Sequence, residues 1–323
     1  DITMIRAAAA RLRGHARRTP LLSSPFLDDL AGRRVLVKPE CLQHTGSFKY
    51  RGARAALSAL DAGTRACGVL AYSSGNHAQG VALAARELGV PAVIVMPADA
   101  PRLKLDNTRA LGAEVVTYDR HGGESREAIG ARLCRARGLT LIRPYEEAQV
   151  IAGQGSVGLE IAEDARTLGI ERAEVLVCCG GGGLTAGIAL ALEAEAPGLR
   201  VRPVEPEGFD DTARSLAAGR RLGNGGPEGG LCDAILTPMP GAVTFPILQR
   251  LAGPGLVVTD AQVLDAMAQA FLRLKLVAEP GGAVALAAAL YRGDDIAADT
   301  VICTISGGNV DAGVFRRALD RLG

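Results

Sequence analysis

Short runs of apolar and β-branched residues alternate along this chain with segments of helical periodicity, and this alternation constrains the fold more than any other feature. The segments 77–88 and 184–195 carry apolar residues at helical spacing and are rich in alanine. Such alternation is typical of α/β proteins built on parallel sheets. The pattern predicts eight strands, at residues 34–38, 69–72, 92–96, 114–118, 140–142, 175–178, 200–204 and 301–305.

The 323 residues are enough for two domains, but no Pro/Ser-rich linker and no repeat of fixed period divides them. We therefore expect a second unit that is wound into the first. The predicted small α/β domain spans 66–146 and is inserted in a larger domain formed by 1–65 and 147–323. In open parallel sheets ligands bind beyond the carboxyl ends of the strands, and the glycine-rich loops of this chain follow its predicted strands.

Charge and cysteine content argue against several classes of protein. The 36 basic and 35 acidic residues give a net charge of +1, so we expect neither a nucleic-acid partner nor an anionic membrane surface. No signal-peptide pattern is present, and four glycines interrupt the long apolar segment 174–192. The seven cysteines lack CxxC spacing, which predicts reduced thiols in a cytoplasmic protein without a zinc site.

One lysine lies in a turn suited to covalent chemistry. Lys49 belongs to residues 45–52 (TGSFKYRG), at the beginning of a predicted helix. A lysine amine is a nucleophile only when it is unprotonated, and desolvation or a Schiff base with a carbonyl cofactor lowers its effective pKa. An exposed lysine in a first helical turn is the commoner explanation of such a segment, but three further glycine-rich segments argue against it.

Four consecutive glycines follow one predicted buried strand and lead into a helix that begins Leu184-Thr185. Successive backbone N–H groups and the positive end of the helix dipole converge there, which makes an anion site. A tight turn alone needs only one or two glycines. The spacing matches neither a dinucleotide fingerprint nor a P-loop, so a monophosphate cofactor is favoured. The loop consists of Gly180, Gly181, Gly182 and Gly183.

Two more polar turns end predicted strands. Residues 73–80 (SSGNHAQG) could bind a carboxylate and a ring hydroxyl together, although Ser74 or Asn76 could also serve only as a helix cap. In residues 305–309 (ISGGN), the hydroxyl of Ser306 cannot keep a pyridine nitrogen protonated as an aspartate would. If the cofactor is pyridoxal phosphate, its ring stays neutral and is a weaker electron sink, which suits β-elimination better than transamination.

Taken in order, these segments resemble the fold-type II pyridoxal-phosphate enzymes of the threonine/serine dehydratase and serine racemase group over essentially the whole chain. The resemblance implies a tryptophan synthase β-like fold, in which two parallel-sheet α/β domains hold the cofactor in the cleft between them, and it suggests a homodimer. The matching segments are 46–53, 73–80, 150–155 (VIAGQG), 180–184, 279–283 (EPGGA) and 306–311.

The resemblance also implies how pyridoxal 5'-phosphate would be held. Lys49 would form the Schiff base with the cofactor and serve as both nucleophile and general base. Phe48 would pack on the pyridine ring, Asn76 would approach the ring 3'-oxygen, and Ser306 would lie at the ring nitrogen. The phosphate would be surrounded by Gly180, Gly181, Gly182, Gly183 and Leu184.

Substrate contacts are implied for a second set of residues. The substrate carboxylate would be bound by Ser73, Ser74, Asn76 and His77. Arg126 aligns with an arginine that reaches the substrate in the racemase branch, although its own sequence pattern fits a helix-surface ion pair equally.

The segment 204–211 (VEPEGFDD) resembles a structural cation site of the racemases and several dehydratases. The resemblance assigns as ligands the Glu205 carboxylate, the Phe209 carbonyl and the Asp211 carboxylate. Such an oxygen-only set suits Mg²⁺ or Ca²⁺. The alternative is an acidic helix start that the helix dipole favours.

The implied activity is that of a dehydratase (ammonia-lyase), which converts L-threonine, L-serine or a related 3-hydroxy amino acid to a 2-keto acid and ammonia through an aminoacrylate. Ser74 replaces the alanine of the dehydratases and matches the acid/base of serine racemases, so racemisation stays open. Ala234 follows Asp233 where the family has glycine, and Pro238 and Pro240 lie just beyond, so substrate selectivity does not transfer. Dehydration of 3-hydroxyaspartate or phenylserine, a β-replacement synthase and a non-catalytic phosphate-ligand binding protein are the remaining alternatives.

Overall fold

Ten strands form two sheets in the described part of this computed structural model, which covers residues 1–73, 75–100, 102–119, 121–225 and 229–322. The strands are β1 (Leu22–Ser23), β2 (Arg34–Pro39), β3 (Val69–Tyr72), β4 (Ala92–Pro97), β5 (Glu114–Tyr118), β6 (Thr140–Leu141), β7 (Ala173–Cys178), β8 (Leu199–Pro206), β9 (Leu256–Val258) and β10 (Thr300–Ile305).

The larger sheet has the order β1-β2-β10-β7-β8-β9, and the smaller has the order β5-β4-β3-β6. Every neighbouring pair is parallel except β1 with β2. The α/β class with parallel sheets is thus confirmed, and all eight predicted strands are present. The two that the sequence did not predict, β1 and β9, have only two and three residues, too few to show a periodic pattern.

Helices connect the parallel strands and cover the sheets. In chain order they are α1 (Ile2–Leu12), α2 (Pro25–Ala31), α3 (Lys49–Ala59), α4 (Ala62–Cys67), α5 (Asn76–Leu88), α6 (Arg102–Ala110), α7 (Arg126–Arg137), α8 (Ala148–Thr167), α9 (Gly183–Glu195), α10 (Asp211–Ala218), α11 (Thr244–Leu251), α12 (Asp260–Gln269), α13 (Pro280–Tyr291) and α14 (Ala312–Leu319).

All four strands of the smaller sheet come from residues between 69 and 141, within the predicted small domain. The strands of the larger sheet come from both sides of that segment. The domain boundaries at 65/66 and 146/147 stay a prediction, since the sheets alone do not define them.

Close helix packing explains the VIAGQG segment. A Cβ atom at Gly153 would lie 2.6 Å from the carbonyl oxygen of Arg51, and one at Gly187 would lie 2.6 Å from the backbone nitrogen of Gly155. Helix α8 therefore approaches α3 on one side and α9 on the other more closely than any side chain would allow. Because α3 begins at Lys49 and α9 begins at Gly183, this packing positions the lysine relative to the glycine loop.

A backbone connection links the Lys49 segment to the end of β10. Ser47 and Gly307 form an isolated antiparallel bridge, and the N–H of Phe48 donates to the carbonyl oxygen of Ser306 at 3.1 Å. The lysine turn and the polar turn after the last strand are thus held together by main-chain hydrogen bonds, whatever their side chains do.

Candidate active site

A cavity of about 400 Å³ lies at the carboxyl ends of strands from both sheets. It brings together residues from nine separate segments of the described chain. Every described residue that was predicted to contact cofactor or substrate lines it: Phe48, Lys49, Ser73, Asn76, His77, Arg126, Gly180, Gly181, Gly182, Gly183, Leu184 and Ser306. Ser74 lies outside the described residues. The individual roles of these residues stay predictions.

Lys49 is the first residue of α3, and its amine lies 3.4 Å from the carbonyl oxygen of Pro144. Burial lowers the pKa of this amine to about 8, while the Glu279 carboxylate acts in the opposite direction. About a tenth of the amine is therefore unprotonated at pH 7, far more than for a lysine with the ordinary pKa of 10.5. That is the state in which a lysine attacks a carbonyl carbon or accepts a proton.

The glycine loop offers unused donors to an anion. The N–H groups of residues 180–183 donate to no acceptor in the described part of the chain. Gly182 has a φ of 86° and caps α9, a left-handed conformation that favours glycine. The buried Oγ1 of Thr185 also makes no hydrogen bond among the described residues. Such donors and an unpartnered hydroxyl at a helix N-terminus fit a phosphate group.

Tyr145 covers this loop and was not predicted. A Cβ atom at Gly181 would lie 2.4 Å from the Tyr145 ring, and one at Gly183 would lie 2.9 Å from the Tyr145 Cβ. The ring therefore needs glycine beneath it. Gly181 and Gly183 therefore meet two demands at once, namely backbone access for an anion and space for an aromatic ring.

His77 binds the protein through its side chain. Its Nε2 lies 2.9 Å from the carbonyl oxygen of Ile142, and because a carbonyl only accepts, Nε2 must carry the proton. Burial, and secondly the charge of Lys49, lower the pKa of His77 to about 3. The imidazole is neutral, so a substrate carboxylate near His77 would be bound by the first N–H groups of α5, which have no acceptor within the helix.

Asn76 belongs to a hydrogen-bonded chain that crosses the cavity floor. Its Nδ2 donates to Oε1 of Glu279 at 2.6 Å, and its Oδ1 accepts from Nδ2 of Asn309 at 2.7 Å. Burial raises the pKa of Glu279 to about 7, and the hydrogen bond from Asn76 partly opposes that rise. The segment EPGGA was recognised in the sequence, but the role of its glutamate was not. One N–H of Asn76 stays available for an oxygen on the cavity side.

Basic side chains line the cavity at several further places. Arg126 pairs with Glu127 at 2.8 Å and lies over the Tyr72 ring at 5.4 Å, so the predicted helix-surface ion pair exists and the residue also faces the cavity. Lys104 and Arg143 line the cavity as well and were not predicted. Neither lies in a glycine-rich turn, so the local sequence does not mark either as a site residue.

The predicted cation ligands lie at the end of β8. The Glu205 carboxylate accepts from the N–H groups of Thr212 at 2.9 Å and Ala213 at 2.8 Å, while Oδ1 of Asp211 accepts from Asn224 at 2.6 Å. The buried Oδ2 of Asp211 has no partner among the described residues. Burial, and secondly the charge of Asp211, raise the pKa of Glu205 to about 8.

Both alternatives for this acidic segment keep support. Glu205 binds N–H groups of the first turn of α10, as an acid at a helix start would, and the unpartnered Oδ2 of Asp211 fits a cation. No cluster of three or more His, Cys, Asp or Glu side chains suited to a metal occurs in the described residues. The predicted set needs only two, together with the Phe209 carbonyl.

Among the helices that the structure describes, none is long and apolar enough to cross a membrane.

Comparison with known proteins identifies the family. The model of the family described as "Pyridoxal-phosphate dependent enzyme" matches residues 12–307. The L-threo-3-hydroxyaspartate ammonia-lyase of Pseudomonas sp is 44% identical over 304 residues, which cover 94% of this chain and 93% of that protein. The serine racemase of Oryza sativa subsp. indica is 38% identical over 326 residues, which cover 99% of this chain and 94% of that protein.

A solved structure supports the same assignment. The threonine deaminase from T.th. superposes with a TM-score of 0.90 at 45% identity, covering 96% of this chain and 99% of that one. The chain therefore belongs to the pyridoxal-phosphate dependent enzymes, within the fold-type II group of threonine/serine dehydratases and serine racemases.

Proposed function

We propose that the protein is a pyridoxal-phosphate dependent ammonia-lyase, which converts a 3-hydroxy amino acid to a 2-keto acid and ammonia. The observation that carries the proposal is the presence, in one cavity, of a lysine amine with a lowered pKa and a glycine loop with unused N–H donors. The relatives support it because their names include ammonia-lyase and threonine deaminase. They also leave L-serine, L-threonine and 3-hydroxyaspartate as candidate substrates.

The residues that are present fit the cofactor. The N–H groups of residues 180–183 and the Thr185 hydroxyl would hold its phosphate, Phe48 would pack on its ring, and Asn76 would bind the ring 3'-oxygen. Ser306 would lie at the ring nitrogen. When bound, pyridoxal phosphate supplies an electron sink that weakens the Cα–H bond of an attached amino acid.

Lys49 would remove the α-proton as general base. With a pKa of about 8 the amine lies near the operating pH, where a general base is most effective. The N–H groups at the start of α5 would hold the substrate carboxylate and so orient the Cα–H bond toward the amine. At the ring nitrogen, the Ser306 hydroxyl would leave that nitrogen unprotonated, which would favour loss of the β-hydroxyl over transamination.

A product assay on the purified holoenzyme tests this proposal. L-serine, L-threonine, L-threo-3-hydroxyaspartate and phenylserine are supplied separately, and keto acid and ammonia are measured together. We expect equimolar keto acid and ammonia from at least one of the four. Release from none of them would contradict the proposed function.

Lys49→Ala and Lys49→Arg test the assigned base. Arginine keeps the positive charge but cannot replace the amine, so we expect both variants to lose keto acid release and borohydride-fixed cofactor. Circular dichroism and thermal unfolding serve as controls for the fold. Activity or fixed cofactor retained in either variant would overturn the assignment of Lys49.

Serine racemase is the second candidate, favoured by the 38% identity with the rice enzyme over almost the whole chain. Ser74, which matches the acid/base of the racemases, lies outside the described residues, so this candidate depends on sequence. Ser74→Ala should abolish racemisation and spare elimination. D-serine that accumulates faster than pyruvate in the wild type, as measured by chiral chromatography, would favour the racemase.

Three further expectations belong to the proposal: a homodimer, a cytoplasmic location, and a structural Mg²⁺ or Ca²⁺ held by Glu205, Asp211 and the Phe209 carbonyl. The cation would brace the start of α10. Sedimentation equilibrium tests the homodimer, since a particle of two chains is expected at micromolar concentration.

A further inference from the structure

Four basic side chains of the described residues line the cavity, and three of them have a partner or an assigned task. Lys49 is the proposed base, Lys104 lies 3.6 Å from Asp233, and Arg126 lies 2.8 Å from Glu127. Arg143 differs, since its guanidinium forms no ion pair and no hydrogen bond within the described residues. Only its backbone N–H is bonded, to the Glu147 carboxylate at 3.0 Å. The charge of Arg143 acts on the Glu147 carboxyl group without direct contact, and it lowers the pKa of that group against the larger effect of burial. The guanidinium N–H groups themselves stay unused within the described residues and are available for a ligand.

Arg143 is held at a defined place in the site by the residues that follow it. The carbonyl oxygen of Pro144 is 3.4 Å from the Lys49 amine, and Tyr145 lies on the glycine loop. The segment therefore crosses the cavity from the reacting amine to the phosphate-binding loop.

The two other anions expected in the cavity, the cofactor phosphate and the substrate α-carboxylate, already have N–H groups that could bind them. Unused N–H groups of residues 180–183 face the cofactor phosphate, and the start of α5 faces the substrate α-carboxylate. Neither needs a side-chain cation. A guanidinium presents a planar fork that matches a carboxylate, whereas the hydrogen, methyl or phenyl substituent on the β-carbon of serine, threonine or phenylserine offers it nothing to bind.

We propose that Arg143 binds a carboxylate on the β-carbon of the substrate and makes this enzyme selective for acidic 3-hydroxy amino acids. This inference rests on the proposed ammonia-lyase function and names its substrate class. Arg143 is a specificity-determining residue, since it contacts the substrate side chain and takes no part in proton transfer. Because Arg143 is exposed at the cavity wall, solvent limits the strength of the contact.

Steady-state kinetics with L-threo-3-hydroxyaspartate and L-serine test the selectivity. We expect Arg143→Gln to lower kcat/KM for the hydroxyaspartate about 10- to 100-fold, mainly through KM, and to leave L-serine within about twofold. Arg143→Lys should retain part of the activity toward the hydroxyaspartate, since it keeps the charge and loses the fork. The matched control is Arg132→Gln, which removes an arginine of α7 that does not line the cavity and should change neither substrate.

A binding measurement gives a readout that does not depend on turnover. L-aspartate and L-alanine carry no β-hydroxyl, so they bind without elimination, and the absorbance of the holoenzyme reports their binding. Arg143→Gln should raise the Kd of L-aspartate about 10- to 100-fold and that of L-alanine less than about twofold. Pyridoxal phosphate affinity should stay unchanged, as equilibrium dialysis would show.

The outcomes separate the two proposals. The first outcome is that the wild type releases keto acid from L-serine, and Arg143→Gln lowers kcat/KM equally for both substrates or for neither. This outcome would overturn the role of Arg143 and leave the ammonia-lyase function intact. Weaker cofactor binding in Arg143→Gln would assign the residue to the phosphate and overturn the inference. Absence of keto acid from every substrate, with L-aspartate binding still dependent on Arg143, would refute the ammonia-lyase function alone.

Discussion

Asn76 donates a hydrogen bond of 2.6 Å to the buried carboxyl group of Glu279. Asn76 begins α5, which follows a strand of the smaller sheet, while Glu279 caps α13 behind the larger sheet. Asn309, after the last strand, donates to the same amide at 2.7 Å. One chain of side-chain hydrogen bonds therefore joins both halves of the cavity and connects the proposed cofactor contact to a titratable group.

The protonation of Glu279 should make stability depend on pH. Burial raises its pKa from the ordinary 4.5 to about 7 in the folded protein. Between these values the folded state holds a proton that the unfolded state has lost, so this group makes stability fall as pH rises from about 4.5 to 7. Glu279→Gln removes this dependence, and the apo variant should gain about 3 kcal/mol over wild type at pH 8 and nothing at pH 4.

Urea unfolding of both apoproteins between pH 4 and pH 8 measures this difference. Other buried carboxyl groups, such as those of Glu205 and Asp211, are common to both proteins and cancel in the comparison. Glu193→Gln, at an exposed ion pair with Arg250, is the matched control. Its free energy of unfolding should change with pH in the same way as that of the wild type. If the unfolding free energies of wild type and Glu279→Gln differ by the same amount at every pH in this range, Glu279 does not titrate there.

Arg51 should contribute strongly to stability. Its guanidinium is 1% exposed and lies 2.8 Å from Glu40, which is fully buried, and 2.6 Å from Glu160. Arg51→Met would leave the Glu40 charge buried without its cation, which typically costs about 3–5 kcal/mol. Chemical denaturation should show this loss. Arg6→Met, at an ion pair in which Arg6 is 62% exposed, should cost less than about 1 kcal/mol. Similar losses of unfolding free energy in both variants would contradict the distinction between a buried and an exposed ion pair.

Backbone-determined features of the site were accessible from sequence. Glycines between a strand and a helix indicate an anion site whatever surrounds them, so the loop at 180–183 and the turns at 73–80 and 305–309 could be located. The parallel α/β pattern then placed these loops at one edge of each sheet. Lys49 was recognised because it lies beside such a turn.

Features that depend on tertiary packing could not be predicted from the sequence. Tyr145 and Arg143 lie in an irregular segment between β6 and α8, and nothing in their local pattern shows that this segment crosses the cavity. In its local sequence, Lys104 is an ordinary charged residue of α6. The burial of Glu279, which sets its pKa, follows from how α13 packs behind the larger sheet and not from its neighbours in sequence.

A divalent cation should stabilise the protein through the acidic segment after β8. Mg²⁺ or Ca²⁺ would neutralise Asp211 and occupy its unpartnered Oδ2. At 100 times Kd such a ligand adds about 2.7 kcal/mol, which corresponds to a rise of a few degrees in Tm relative to protein in EDTA. Asp211→Asn should remove the response, and Asp210→Asn, whose side chain pairs with Arg214, should keep it. A Tm that is the same with cation and with EDTA would refute this site.

The contact between Gly181 and Tyr145 should couple cofactor binding to an aromatic side chain. A Cβ atom at residue 181 would lie 2.4 Å from the ring, so Gly181→Ala must displace either Tyr145 or the loop that offers its N–H groups to the phosphate. We expect the Kd for pyridoxal phosphate to rise at least tenfold, about 1.4 kcal/mol. Tyr145→Ala removes the obstacle, so the double variant should bind the cofactor more tightly than the two single effects, added together, would allow.

Equilibrium dialysis of the four proteins gives this coupling energy directly, and thermal unfolding of each apoprotein shows whether the fold is kept. Gly225→Ala is the control, because a Cβ atom at that position meets no described residue within 4 Å and its φ is not in the left-handed region. If the single effects simply add, the loop is disturbed by something other than the tyrosine ring. A coupling of about 1 kcal/mol or more would instead show that Tyr145 is the reason why a side chain is excluded at position 181, and that the glycine loop serves aromatic packing as well as anion binding.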